Sequence, residues 1–287
     1  MEPKRYAGVD AETRGALAMG RDQLRAALAD RAEIFGGSDD MVAAMAAHML
    51  ADYRAALAAG EARVAMIVPV GPIGQYQRLA AACKDQGQPL DRLTLIVMDE
   101  YLTDAGHWID ESDPLSFRAH IRRNLTEALP RDMRPGVVVP DPADPGAVER
   151  AIADAGGVDV TYAGVGITGH LAFNEPMQDV VDADYFASLG TRVVALMPET
   201  RLINSVTAVR GNTLRIPRLA VTVGMREILA ACKLRLYLNR DWQCAALRRL
   251  AFGPVTAAFP ASLAQRHPDW SLHLVDKVLD EPEPLLA

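Results

Sequence analysis

The chain has 287 residues, of which 50% are apolar and 23% are charged, and its formal net charge is −7 at pH 7. That length is sufficient to bury a large core, and the negative charge opposes binding to nucleic acid. The N-terminal residues lack the apolar run of a secretory signal, and no run approaches the roughly 20 apolar residues of a membrane helix. We therefore expect a globular, cytoplasmic protein without nucleic-acid or membrane partners.

The cysteines give little sign of a redox or metal function. Cys83, Cys232 and Cys244 are odd in number, and no two of them have C-x-x-C spacing. This argues against a disulfide framework and against a thiolate metal site. We expect all three thiols to be buried.

The first 60 residues predict helices. Residues 11–59 are rich in Ala with recurring Leu, Met and Ile, and they contain no Pro. This composition predicts two helices that are separated at Gly36-Gly37-Ser38-Asp39. Ser38 and Asp39 are candidate N-caps of the second helix.

From Arg63 onward, short β-branched runs alternate with helical segments. The strands are predicted at RVAMIVPV, LTLIVM, GVVVP, VDVTYAG, TRVVALM, LAVTVG, KLRLYLN and WSLHLVD. Continuously apolar runs such as LTLIVM suit central strands that are buried on both faces. The alternation predicts an α/β protein with a three-layer, doubly wound, mainly parallel sheet and helices on both faces.

Ligands of such sheets bind beyond the carboxyl ends of the strands, so residues that follow a strand are candidates for a site. The strand VDVTYAG runs into GVGITG, which has the spacing of a dinucleotide-binding loop. Such a loop requires its third glycine to open a long helix, but Pro176 follows only seven residues after Gly169. We therefore favour another kind of site, which presents His170, Asn174 and Glu175.

A second candidate segment is LTLIVMDEY, in which a buried strand ends in Asp99 and Glu100. Adjacent strand residues point to opposite sides, so at most one of them faces the crevice. A carboxylate in apolar surroundings has a raised pKa and suits a general base near neutral pH. The structural alternatives are a helix cap for the carboxylate and an ordinary hydrogen-bonding residue for His170.

Together these segments resemble the glucosamine-6-phosphate deaminases and, more distantly, the 6-phosphogluconolactonases. AFNEP and MDEY are typical of the deaminase branch. The resemblance runs from about Arg63 to Leu250, and its pieces keep the family's order and spacing: MDEY (98–101), DPLSFRAHI (113–121), GVGITGHLAFNEP (164–176), ETRLINS (199–205) and AVTVG (220–224).

The resemblance implies a cofactor-independent and metal-free reaction on a small sugar or sugar phosphate. It implies that His170, assisted by Glu175, opens the sugar ring and that Asp99 moves a proton between C2 and C1, which leads to a ketose and ammonia. It implies that Arg201 clamps the substrate phosphate. The other expected substrate-binding residues are Gly71, Gly74, Glu100, Gly166, Thr168, Gly169, Ala172, Asn174 and Arg240.

Three places depart from the family pattern. Thr168 stands where the family has an Asp that orients the His, and a hydroxyl cannot stabilise an imidazolium as a carboxylate does. The loop VPVGPIGQY lacks the family's hydroxyl donors, and Pro72 removes a backbone donor. Arg240 lies near the position of the family's phosphate-binding Lys, at a different offset. These changes favour a different substrate tail, such as that of a non-phosphorylated amino sugar.

The leading hypothesis is an aldose–ketose isomerase and deaminase that acts on glucosamine-6-phosphate or a related amino sugar. A sugar lactone hydrolase and a catalytically weakened sugar-binding protein remain alternatives, and a dehydrogenase is a remote one. We interpret residues 1–60 as an N-terminal helical extension and residues 61–280 as a single α/β catalytic domain. Because the Ala-rich N-terminal helices offer packing surfaces, a homo-oligomer is a further expectation.

Overall fold

A computed structural model describes residues 9–177 and 182–283, and its centre is a seven-stranded sheet. The strands are β1 (Ala32–Phe35), β2 (Val64–Val68), β3 (Leu93–Val97), β4 (Asp99–Leu102), β5 (Gly136–Val138), β6 (Val160–Gly164), β7 (Arg192–Ala195), β8 (Leu219–Thr222), β9 (Lys233–Leu238) and β10 (Trp270–Val275). The helices are α1 (Ala11–Leu17), α2 (Arg21–Ala27), α3 (Ser38–Ala58), α4 (Gln75–Asp85), α5 (Phe117–Ile121), α6 (Gly146–Ala155), α7 (Ala183–Ala187), α8 (Pro198–Val209), α9 (Met225–Leu229) and α10 (Cys244–Phe252).

The large sheet has the strand order β1-β10-β9-β6-β2-β3-β5, and its neighbouring strands pair in parallel. Every residue of β2 is buried, as its continuously apolar sequence predicts. The chain proceeds outward from β2 to β3 and β5 on one side, and from β6 to β9 and β10 on the other. The order therefore reverses between β2 and β6, where sheets of this kind bind ligands. The predicted mainly parallel α/β fold is confirmed.

A smaller antiparallel sheet, β4-β8-β7, lies beside the end of β3. The chain leaves the large sheet at Met98 and enters the small one at Asp99. The segments TRVVALM and LAVTVG were expected to join the parallel sheet, and that expectation is wrong. The residues of β7 alternate between partly buried and exposed, which suits an antiparallel sheet with one solvent face.

The N-terminal segment contains a strand that the composition did not predict. β1 is an edge strand that pairs in parallel with β10, with Ala32 opposite Leu272. Four residues within an Ala-rich stretch are too few to show a strand pattern. The second predicted helix, α3, begins at Ser38, but its N-cap is Gly37 and no side chain caps it.

The apolar core contains side chains from both parts of the proposed domain division. Leu24 and Met45 belong to the same buried cluster as Ile67 and Leu236 of the large sheet. The boundary between residues 1–60 and 61–280 stays a prediction. Cys83 and Cys244 are buried as expected, whereas Cys232 is exposed. Among the helices described, none combines the length and apolar composition that crossing a membrane requires.

Candidate active site

A pocket of about 240 Å³ opens at the point where the strand order reverses. The segments that follow four parallel strands line it: residues 69–72 after β2, Met98 and Asp99 after β3, residues 164–166 at the end of β6, and residues 239–240 after β9. The pocket therefore lies where the topology predicts a ligand. His170 lines it too, so the structure brings together the two groups that the sequence singled out for proton transfer.

Asp99 belongs to the wall of this pocket. Asp99 is 7% exposed, and no group in the described part of the chain donates a hydrogen bond to its carboxylate. Burial raises the pKa of Asp99 to about 8, and the nearby Glu100 carboxylate adds to the rise. A carboxylate with such a pKa is a stronger base than an ordinary Asp and still ionises near neutral pH.

Glu100 points to the other side of β4, because adjacent strand residues face opposite ways. It is fully buried, and burial raises its pKa despite the hydrogen bonds that it accepts. The donors are the Ser116 hydroxyl at 3.1 Å, the backbone N–H groups of Tyr101, Phe117 and Arg118 at 2.9, 3.0 and 2.9 Å, and the Arg118 guanidinium at 3.3 Å. Glu100 thus anchors the start of α5 and does not line the pocket, in contrast to the expectation that it binds substrate.

His170 is held by a chain of polar groups. The Thr168 hydroxyl lies 2.8 Å from His170 Nδ1 and donates to Glu175 Oε2 at 2.9 Å. Because the single hydroxyl proton goes to Glu175, Thr168 Oγ1 is left to accept the Nδ1–H of His170. This assigns the tautomer in which His170 Nε2 carries the free lone pair.

Glu175 stands directly behind this chain. Its Oε2 lies 3.3 Å from His170 Nδ1, and its Oε1 accepts the backbone N–H of Met197 at 3.2 Å. Burial alone would raise the pKa of Glu175, but hydrogen bonds from His170, Thr200 and Thr168 outweigh it and lower that pKa. Glu175 is therefore ionised beside His170 and can stabilise an imidazolium, although Thr168 replaces the family's Asp.

The glycine loop brings its backbone against the catalytic candidates. A Cβ at Gly166 would lie 2.0 Å from His170 Nε2, so only glycine permits this position of the ring. Gly169 has a φ of +83°, and a Cβ there would lie 2.4 Å from the Phe259 ring. Ala172 lines the pocket with a φ of 51°, a strained conformation that is typical of functional sites.

Asn174 serves the loop and not the pocket. It is fully buried, and its Nδ2 donates to the backbone oxygens of Leu171 and Val223 at 3.0 and 2.9 Å. Its Oδ1 accepts a hydrogen bond from Arg192 at 2.9 Å. These hydrogen bonds occupy the Asn174 side-chain amide and hold the loop that follows β6 beside the end of β8. Asn174 does not line the pocket, in contrast to the expectation that it binds substrate.

Arg240 is the only Lys or Arg that lines the pocket within residues 9–177 and 182–283. It follows β9, while Gly71 and Pro72 line the pocket after β2. Gly74 is not a lining residue: it is the N-cap of α4 and has a φ of +115°. The pocket thus offers an anion one guanidinium, and the hydroxyl-rich loop of the family is absent, as the sequence indicates.

Arg201 was expected to clamp a phosphate, but the structure places it outside the pocket lining. The residues of α8 that line the pocket are Asn204 and Thr207. An α-helix turns by about 100° per residue, so Arg201 points about 60° from Asn204 and about 120° from Thr207. The segment ETRLINS therefore reaches the pocket through Asn204, with Arg201 beside it, and a phosphate-binding role of Arg201 stays a prediction.

Two contributors were not singled out from the sequence. The Thr200 hydroxyl lies 3.3 Å from His170 Nδ1, and Tyr237 at the end of β9 lines the pocket. Thr200 is inside the recognised ETRLINS segment, next to Arg201. Tyr237 falls at the carboxyl end of a predicted strand, which is the signal that identified Asp99. The arguments that selected Arg201 and Asp99 could therefore also have selected Thr200 and Tyr237.

Comparison with known proteins identifies the family. No family model matches the chain. The chain is 32% identical over 208 residues to a glucosamine-6-phosphate deaminase of Shouchella clausii, and the match covers 69% of this chain and 76% of that protein. It is 32% identical over 235 residues to a glucosamine-6-phosphate deaminase of Corynebacterium aurimucosum, covering 79% of this chain and 84% of that protein.

Solved structures share the fold. A monomeric glucosamine-6-phosphate deaminase has a TM-score of 0.70 at 20% identity, covering 86% of this chain and 98% of that chain. A 6-phosphogluconolactonase from Shewanella baltica has a TM-score of 0.59 at 14% identity, covering 85% of this chain and 97% of that chain. The structural likeness extends to both branches, whereas the sequence identity selects one. On that identity, the chain belongs to the glucosamine-6-phosphate deaminase family.

Proposed function

We propose that the protein is an enzyme that isomerises and deaminates an amino sugar, with glucosamine-6-phosphate as the leading substrate, to give a ketose and ammonia. The observation that supports this most strongly is the meeting of Asp99 and His170 in one pocket. One is a buried carboxyl group with a pKa of about 8, and the other is an imidazole held by a hydroxyl. The names of the relatives at 32% identity support the same chemistry.

Ring opening is the step assigned to His170. Its Nε2 lone pair accepts the proton of the C1 hydroxyl, and the resulting imidazolium returns a proton to the ring oxygen. The C1–O bond to the ring breaks, and the open-chain aldehyde forms. Glu175, which lies 3.3 Å from Nδ1, stabilises the transient positive charge on the ring.

Proton transfer on carbon is the step assigned to Asp99. Its carboxylate removes the proton from C2 of the open chain and returns it to C1, while a proton passes from the nitrogen to the C1 oxygen, which converts the amino aldose into an imine at C2. Water adds to C2, and ammonia leaves with the electron pair of the C–N bond. Amino sugar and water thus give ketose and ammonia, and the raised pKa of Asp99 makes its carboxylate a better match for a weak carbon acid.

Arg240 is the group proposed to bind the substrate's anionic end. It supplies the positive charge of the described pocket lining, and a guanidinium can bind two oxygens of a phosphate at once. The rest of the anion cradle comes from the turn at Gly71 and from the polar side chains of α8. This set is smaller than the sequence of the family suggests, so activity on free amino sugars is part of the test.

Ammonia release tests the proposal. Purified protein is given glucosamine-6-phosphate, free glucosamine and 6-phosphogluconolactone, and ammonia and acid are both measured. Wild type is expected to release ammonia from an amino sugar, and Asp99→Asn to lower kcat by about 10²- to 10⁴-fold. Asp104→Asn is the matched control, because Asp104 is an exposed carboxylate after β4. Acid from the lactone without ammonia would assign the hydrolase, and sugar binding without turnover would assign a binding protein.

Two further expectations accompany this proposal. A cytoplasmic location agrees with the substrate class of a sugar-metabolising enzyme and stays a prediction. A homo-oligomer also stays a prediction, which light scattering on the purified protein measures.

A further inference from the structure

A second group of titratable side chains lies on the large sheet, outside the pocket. Glu33 of β1, His48 of α3 and His273 of β10 each bring one potential ligand atom within 4.8 Å of the others. Glu33 and His273 are opposite each other in the parallel pair of β1 and β10, and α3 packs over both strands. We call these three residues the His–His–Glu cluster.

The distances in the cluster suit a small metal ion. Glu33 Oε2 lies 3.1 Å from His273 Nδ1 and 3.4 Å from His48 Nε2. Ligand atoms about 2.0–2.1 Å from a tetrahedral zinc ion lie about 3.3–3.4 Å apart. Two of the three separations therefore fit already. The third, between the imidazoles, is at most 4.8 Å and is the one that a bound ion would shorten.

Each imidazole has a hydroxyl behind its other nitrogen. His48 Nδ1 lies 2.8 Å from the Tyr237 hydroxyl, and His273 Nε2 lies 3.1 Å from the Ser271 hydroxyl. Metal-binding His residues donate their other N–H to such an acceptor, which fixes the tautomer and the direction of the ring. When His48 Nδ1 and His273 Nε2 carry the protons, the lone pairs of His48 Nε2 and His273 Nδ1 are free. These two lone pairs and the Glu33 carboxylate then face a common position.

The surroundings also permit a cation. The side chain of Glu33 is 48% exposed, so an ion can enter from solvent, while His273 closes the buried side. The nearby Arg235 is compensated by Asp52, to which it donates at 2.7 and 2.8 Å.

We propose that the His–His–Glu cluster binds one divalent transition-metal ion of the zinc type, with solvent completing its coordination. Two imidazoles and one carboxylate are a ligand set that zinc accepts. Calcium and magnesium prefer sites built from oxygen ligands, and this cluster offers one carboxylate. The site joins the edge strand β1 and the helix α3 to the rest of the sheet.

Residues that are paired across four neighbouring strands connect the proposed site to the pocket. Glu33 pairs with His273, His273 with Tyr237, and Tyr237 with Gly164, and the last two line the pocket. The Tyr237 ring stacks on His273 with centroids 4.4 Å apart and planes at 12°. An ion that fixes both imidazoles therefore also fixes Tyr237, which forms part of the pocket wall.

Zinc titration of the full chain tests this site independently of its enzymatic activity. The protein is treated with a chelator and titrated with ZnCl₂ in a calorimeter, and cobalt absorbance reports the ligand geometry. We expect saturable binding of one zinc ion and a higher Tm in its presence. Glu33→Gln, at a half-exposed position, is expected to weaken zinc binding by about tenfold or more, and Ser271→Ala by about tenfold.

Glu61→Gln and His107→Asn are matched controls, because both residues are exposed and lie outside the cluster. They are expected to bind zinc as wild type does. Equal affinities of wild type and Glu33→Gln would overturn the proposal, since zinc would then bind elsewhere. Folded wild type without saturable zinc binding would overturn it as well, and would show that Glu33 accepts hydrogen bonds from both imidazoles.

Discussion

Asp99 and His170 line the same pocket, but their surroundings differ in kind. The carboxylate of Asp99 is buried without a hydrogen-bond donor from the described residues, so removal from water is the main cause of its raised pKa and the Glu100 charge adds to it. His170 is bonded to Thr168, and Glu175 lies behind both. Burial changes how strongly a group holds its proton, whereas hydrogen bonds determine which nitrogen carries it and where the free lone pair points. In the proposed mechanism, burial tunes the carbon base Asp99 and hydrogen bonds orient the ring-opening group His170.

The same contrast separates the two carboxylates of the MDEY segment. Glu100 is as buried as Asp99, yet it accepts hydrogen bonds from Ser116 and from three backbone N–H groups. A carboxylate that is satisfied in this way holds structure together. A buried carboxylate that is left unsatisfied beside a pocket is available for chemistry.

The sharpest test of the contrast is the pH dependence of kcat/KM. A base must be ionised to act, and the pKa of Asp99 is raised from 3.8 to about 8. Activity is therefore expected to reach a plateau above pH 8 and to approach a tenfold fall per pH unit below it, so that kcat/KM at pH 6 is about 100-fold below the plateau and about 50-fold below its value at pH 8. The residual rate of Asp99→Asn should lack this limb. If the limb persists in that variant, the substrate amine or another group titrates there, and burial of Asp99 does not control the rate.

The positive charge of the described pocket lining comes from Arg240, and a comparison with Arg201 tests its proposed role in binding substrate. Arg240 lines the pocket and Arg201 does not. A charge-assisted hydrogen bond is worth about 1.5–3 kcal/mol, so Arg240→Ala is expected to raise KM for the phosphorylated sugar by about 10- to 100-fold. KM for the free amino sugar should change little.

Arg201→Ala is the comparison variant for this measurement and is expected to leave KM close to wild type. The opposite outcome, with Arg201→Ala raising KM and Arg240→Ala silent, would support the motif-based assignment over the pocket geometry. Steady-state kinetics on both substrates distinguish the two results.

Sequence patterns were sufficient for the fold class because alternation of strands and helices is a local property, but they did not reveal the small antiparallel sheet or the edge strand β1. They placed Asp99 and His170 together at the pocket, since each follows a predicted strand at the edge where ligands bind, and the catalytic roles of both stay predictions. They failed for Asn174 and Glu100, whose motifs do not reveal that their polar atoms bond to nearby backbone. For Arg201, the motif identifies a helix segment but does not show which residues of that segment line the pocket, and Asn204 lines it while Arg201 does not.

The His–His–Glu cluster illustrates what sequence patterns cannot show at all. Glu33 and His273 are 240 residues apart along the chain, and the strand β1 was not predicted because it lies in an Ala-rich stretch. No spacing rule links two residues at that separation. Only the parallel pairing of the first and last strands of the sheet brings the carboxylate to the imidazole. A search for metal-ligand motifs therefore predicts no metal where the fold assembles three ligands.

The smallest expected effect concerns the hydroxyl that positions His170. Thr168→Val keeps the shape of the side chain but removes the acceptor for Nδ1–H, while Glu175 remains 3.3 Å from that nitrogen and takes over part of its role. The expected loss is about tenfold in kcat, the value of roughly one hydrogen bond, with little change in KM. Thr168→Ser retains the hydroxyl and should restore the rate. Thr213→Val, at an exposed position, controls for the substitution itself. A wild-type kcat in Thr168→Val would show that Glu175 orients His170 without the hydroxyl.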